Sequence, residues 1–138
     1  GKHAGIYKIT AAGDVSEVLG SDSGIKRPNG LLMDGVSTLL VADFGTGDLY
    51  RADLASGKVT ALNQGFGGAD GLVRDTRGFL YVSDWNNGKV WQLAGPSATP
   101  QLIADNLKAA ADIALSADGR FVLVPDMKAG EMLYLPIH

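Results

Sequence analysis

Apolar positions along this chain come in short runs, each closed by residues that form turns. The stretch 68–93 shows the pattern most clearly: GLV, FLYV and VWQL are split by DTRG and DWNNG. Each run has the length of a strand, and each break carries the Gly, Asp or Asn that a tight turn needs. The pattern predicts an antiparallel meander. Helical spacing is scarce. DNLKAAAD, residues 105–112, holds good helix formers but covers only about two turns, so it reads as a connector with a helical turn at most.

The meander repeats. PNGLLMDGVSTLLVADFGTGDLY precedes it and ADIALSADGRFVLVPDMKAGEMLY follows it. Asn29, Asp70 and Asp112 correspond at steps of 41 and 42, as do Asp43, Asp84 and Asp126, and Gly47, Gly88 and Gly130. Tyr50, Trp91 and Tyr134 follow in the same order. A period near 41 built from four short strands is the signature of β-propeller blades. The fold class expected is therefore all-β: a β-propeller of about three four-stranded blades, half of a six-bladed ring.

Strands are expected near 29–33, 38–42, 48–52 and 58–62 in the first full blade. In the second they fall near 70–74, 79–83, 89–93 and 99–103, with Pro100 on the outer edge strand that tolerates proline. Two strands of a preceding blade lie at Gly5–Ile9 and Val15–Leu19, and three of a last blade near 112–116, 121–125 and 131–135. The divisions are 1–23, 24–67, 68–109 and 110–138. The inner strands LLVA, FLYV and FVLV are near-continuous apolar runs, as strands covered on both faces should be.

Thirteen strands do not close a ring, because propellers have about 4–8 blades of four strands. Both ends would expose an apolar sheet face and a strand edge, which invites association. Either further blades complete the ring, or two copies pair head to tail into six blades. The count favours the first, since the strand at Gly5–Ile9 would compete with that of Tyr134 for one place. The start GKHAG, with no Met and no signal peptide, reads as a cut or processed end, so the compartment is left open.

Composition narrows the function classes. The net charge is −3 and Lys and Arg do not cluster, which argues against a nucleic-acid surface. No apolar run approaches a membrane span. There is no cysteine, hence no disulfide and no thiolate metal site. The histidines, His3 and His138, stand at opposite ends, and none lies within a blade to serve a Ser-His-Asp triad. NQGFGGAD, 63–70, lacks the Gly-Lys-Ser/Thr of a phosphate loop and reads as a connector.

Candidate chemistry sits where the innermost strands start. Blades place equivalent atoms around one axis, so Asn29, Asp70 and Asp112 would bring three oxygen-bearing side chains to a central channel. Oxygen ligands suit a hard cation, Ca²⁺ first, with Mg²⁺ or Mn²⁺ as alternatives. The competing account is that they merely cap the loops ahead of these strands. Asp43, Asp84 and Asp126 end the second strands before a Gly turn and read as turn-fixing carboxylates. Phe44, Trp85 and Met127, one residue on, read as packing between blades.

IKRPNGLLMDG, followed by GADGLVRDTRGFLYVSDW, resembles the regucalcin–gluconolactonase family of six-bladed propellers over about residues 24–138. NHL-type propellers are similar at lower resolution. The resemblance implies a channel cation held by a Glu, Asn residues and an Asp. Asn29 of PNG matches a metal-binding Asn, and Asp70 of ADG matches the Asp that binds metal and acts as base in lactone hydrolysis. The family Glu and another Asn have no counterpart position here, and Asp112 has no family role. The implied activity is metal-dependent lactone or ester hydrolysis on a small lactone or sugar ligand. The alternatives are a non-catalytic NHL-type binding propeller and a half-propeller that assembles into a ring.

Overall fold

A computed structural model describes residues 4–138, so His3 lies outside the described residues. Within them the short apolar runs become thirteen strands, and the one helical piece is a 3-10 turn at Ser21–Ser23. β1 (Ile6–Ile9) and β2 (Val15–Leu19) pair alone. β3 (Pro28–Met33), β4 (Thr38–Asp43), β5 (Asp48–Asp53) and β6 (Val59–Asn63) form a four-stranded meander. β7 (Ala69–Arg74), β8 (Leu80–Asp84), β9 (Lys89–Leu93) and β10 (Gln101–Ala104) form the next. β11 (Ala114–Leu115), β12 (Phe121–Asp126) and β13 (Glu131–Pro136) form a last sheet of three strands. Every pairing is antiparallel between sequence neighbours. The chain is an all-β propeller arc with an incomplete ring.

Period-two alternation explains the near-continuous apolar runs of the second strands. On β4, Leu39 and Val41 face the first sheet, where they meet Ile6, Leu19 and Ile25. Leu40 and Ala42 face the other way and meet Leu72, Leu80 and Val82. On β8, Tyr81 turns toward Val122 and Val124 of the last sheet. Each sheet thus has a separate apolar layer with each neighbour, and a strand between two layers has no wet face.

The joints between sheets are polar. Asp43, Asp84 and Asp126, at the ends of β4, β8 and β12, are all buried. Asp43 accepts from the N–H groups of Lys26, Arg27 and Gly45, each at 2.8 Å. Asp84 accepts from Gly68 N–H at 3.1 Å and Asn87 N–H at 3.0 Å, and from the Asn87 amide at 2.7 Å. Asp126 accepts from Lys108 N–H, Ala109 N–H and Ala129 N–H at 2.8, 2.9 and 3.2 Å. Each carboxylate therefore holds its own hairpin turn and also the segment leading into the first strand of its sheet. Burial opposes ionisation of Asp126, but these amides outweigh it and hold its carboxyl below the ordinary carboxylate range.

Gly88 closes the joint from the turn side. It has φ of +62°, and a β-carbon there would overlap the carbonyl of Leu107 in the connector to the next sheet. That connector, 105–112, holds no helix; it crosses in irregular backbone and touches β12 through an Ala110–Asp126 bridge. Pro100 lies just before β10 rather than in it. Both end faces are open. Tyr7 and Ile9 are exposed at one end, and Met132 and Tyr134 at the other.

The buried carboxylates should dominate stability. Asp84→Ala strands the N–H groups of Gly68 and Asn87 and is expected to cost about 3 kcal/mol, whereas exposed Asp112→Ala should change stability by less than about 0.5 kcal/mol. Urea unfolding of the two variants checks this.

A candidate cation site at the start of the inner strands

The first strand of each sheet carries the same irregularity. On β3 the register shifts between Pro28, opposite Asp43, and Leu31, opposite Val41. On β7 it shifts between Ala69, opposite Asp84, and Leu72, opposite Val82. In the last sheet Ala110 bridges Asp126 and Ala114 pairs with Leu123, so three residues span two. One extra residue in each case is a β-bulge, which re-aims side chains and locally ends pairing. Asn29, Asp70 and Asp112 are the residues in these bulges. Asp112 accordingly sits ahead of β11, which is only two residues long, rather than within a five-residue strand.

Two glycines bring the bulges together. A β-carbon on Gly30 would lie 2.6 Å from the carbonyl oxygen of Asp70. One on Gly71 would lie 2.5 Å from the backbone nitrogen of Ile113 and 2.9 Å from Oδ1 of Asp112. Any side chain would push the neighbouring bulge away, so the Gly after Asn29 and the Gly after Asp70 set how closely three successive sheets approach. Ser83, buried on β8, fastens the second contact. Its hydroxyl accepts from Gly71 N–H at 2.8 Å and donates to the carbonyl of Ala111 at 2.7 Å. Sequence reasoning missed Ser83; the signal was one polar residue closing the apolar run FLYV.

The aspartates divide sharply by what they touch. Asp43, Asp84 and Asp126 are saturated with backbone donors. Asn29, Asp70 and Asp112 make no side-chain hydrogen bond among the described residues, and none of their side-chain atoms is sealed from solvent without a partner. A loop cap would spend its oxygens on nearby amides, and these side chains do not. Burial pushes the Asp70 carboxyl above the ordinary range, and the neighbouring Asp112 carboxylate adds to it.

Two carboxylates and one amide oxygen fit a hard cation in donor type. The set is short of a full shell. Among the described residues no three His, Cys, Asp or Glu side chains converge as metal ligands. Phe44 and Trp85 stand above the same end, their ring centroids 5.9 Å apart. They pack across the boundary between two sheets, while Met127 at the equivalent place is 70% exposed.

No protein-family model and no curated protein sequence matches the chain. Solved structures do. A calcium-binding regucalcin from Agrobacterium tumefaciens superposes with a TM-score of 0.74 at 22% identity, over 96% of this chain and 52% of its own. A nidogen/laminin complex gives 0.72 at 19% identity, over 96% and 57%. A streptogramin B lyase gives 0.67 at 15% identity, over 96% and 48%. The chain has the β-propeller fold of these structures and spans about half their length.

The Asp70 shift can be separated into its parts. Carboxyl NMR should find Asp70 titrating above the ordinary value of about 3.9. Asp112→Asn should lower it without restoring it fully, because burial remains. An Asp70 that titrates normally in the wild type would contradict the proximity described.

Proposed function

We propose that this chain contributes Asn29, Asp70 and Asp112 to a channel site for a divalent cation, Ca²⁺ before Mg²⁺ or Mn²⁺, in a propeller that hydrolyses a lactone or ester. The observation that carries it is the set of oxygen side chains with no protein partner, held on three adjoining bulges while neighbouring aspartates are saturated. The calcium-binding regucalcin among the similar structures supports the choice of ion.

A divalent cation, when bound, polarises an ester carbonyl and makes nearby water more acidic. The rest falls to the chain's own groups. Asn29 offers an amide oxygen and Asp112 a carboxylate, both acceptors only toward a cation. Asp70 takes a proton from the attacking water at a carboxylate oxygen. A raised pKa brings this base closer to neutrality, where acceptance and later release of a proton are better balanced. The backbone under it is fixed by Ser83 and by the amides on Asp84, so the carboxylate is oriented before substrate arrives. Remaining ligands come from blades beyond the arc, either in a longer chain or from a second copy.

A second reading rests on the open end faces. Phe121 and Tyr134 meet edge to face at 6.2 Å on the outer side of the last sheet, and Tyr134 is 62% exposed. An apolar face of this kind is the joint surface of a further blade, and a non-catalytic assembly or binding propeller would use it equally. Solution mass separates a chain that pairs from one that does not.

Calcium should raise the melting temperature reversibly, with EDTA restoring the apo value. Asp70→Ala should abolish the shift while melting near the apo wild type. The sign with pH follows from Asp70. Its folded pKa lies above the unfolded one, so folding favours the protonated form. The group's contribution to stability is complete below the unfolded pKa and is lost as pH rises through the folded pKa. The cation needs the ionised form, so calcium affinity should increase across that same rise. An affinity that is flat with pH, or a shift that survives Asp70→Ala, would overturn the proposal.

A further inference from the structure

The mouth of this site carries a row of side chains that the proposed hydrolysis leaves unused. Phe44 and Trp85 lean together at 58° with centroids 5.9 Å apart. A flat ligand sandwiched between them would need about 7 Å, twice the spacing of touching carbons, so the rings do not form a slot. Each instead carries a cation. The Arg27 guanidinium lies 4.7 Å from the centre of Phe44, and the Lys128 ammonium 4.3 Å from the centre of Trp85. The row Arg27, Phe44, Trp85, Lys128 thus crosses three sheets.

These cations differ from those at the other end of the sheets. There Arg51 and Arg74 pair with Asp34, Arg77 with Asp75 and Arg120 with Asp118. Arg27 and Lys128 make no ion pair with a described residue. A ring orients a cation but leaves its charge uncancelled and its N–H groups free to donate. The row also adjoins the candidate site. Arg27 precedes Asn29 by two residues, roughly 7 Å of extended chain. The Phe44 ring lies 3.0 Å from where a β-carbon on Gly68 would be, two residues before Asp70.

We infer that Arg27 and Lys128 bind a carboxylate on the ligand, so that the site takes a sugar-acid lactone or ester bearing a second, ionised carboxylate away from the reacting carbonyl. Unpaired cations on the rim and bare carboxylates below them give the mouth a polarity. The free carboxylate meets the rim through charge-assisted hydrogen bonds, and the neutral ester end points inward toward Asp70. The inference rests on the proposed hydrolase reading for the inner end only.

Calorimetric titration of the full chain in calcium, with D-glucarate and D-gluconate as probes, tests it. Both offer one carboxylate and hydroxyls to the inner site, and glucarate alone has a second carboxylate for the rim. Glucarate should bind roughly tenfold tighter or more, the worth of one charge-assisted contact. In Arg27→Gln/Lys128→Gln the two should bind alike. Should that variant melt early, the single substitutions repeat the test, each expected to narrow the ratio. No binding, equal binding by the wild type, or a preference that survives the substitutions overturns the inference. Repeating the titrations in EDTA separates the two readings. A glucarate preference that persists without calcium and disappears in the variant upholds the rim and counts against the cation site.

Discussion

A buried carboxylate at the end of the second strand of each sheet is the contact on which this fold depends. Apolar layers hold neighbouring sheets face to face, but such layers are non-directional and tolerate sliding. Asp43, Asp84 and Asp126 remove that freedom. Each spends its oxygens on amides from two places, the turn that follows and the connector that leads into the sheet. A carboxylate can be buried only if its acceptors are filled in this way, so the requirement of the charge fixes the path of the backbone.

The candidate site inherits its geometry from that path. The connectors pinned by these aspartates run directly into the bulges that present Asn29, Asp70 and Asp112. Gly30 and Gly71 then let adjacent bulges touch, and Ser83 ties one to the next. Two sets of similar residues at the same repeat spacing thus have opposite fates. One set is saturated and structural. The other is left without partners, with Asp70 and Asp112 close enough to disfavour each other's charge. Leaving two carboxylates in that condition costs stability, and a cation or a proton relieves it.

Much of this was legible in the sequence. The 41-residue period, the turn residues and the doubly apolar second strands gave the sheets, because burial on both faces writes itself as an unbroken run such as FLYV. Asp43, Asp84 and Asp126 could be recognised as turn carboxylates, but their grip on the connector could not, since Lys26 N–H and Asp43 are joined only by folding. The bulges were also hidden. Register is a property of two strands, and neither PNGLLM nor ADGLVR alone reveals an extra residue. Asp112 was expected within a strand, yet the connector ahead of it follows the bridge of Ala110 to Asp126 and leaves β11 short. The cations on Phe44 and Trp85 come from different sheets and had no local signal at all.

Whether the three bulges face one point is best tested by paramagnetic broadening with Mn²⁺, read at backbone amides. The account predicts that substoichiometric Mn²⁺ broadens residues 29–30, 70–71 and 112–113 together, and spares the opposite turns at Asp34 and Asp75. Broadening confined to one of those segments, or scattered over surface acids such as Asp118, would contradict it.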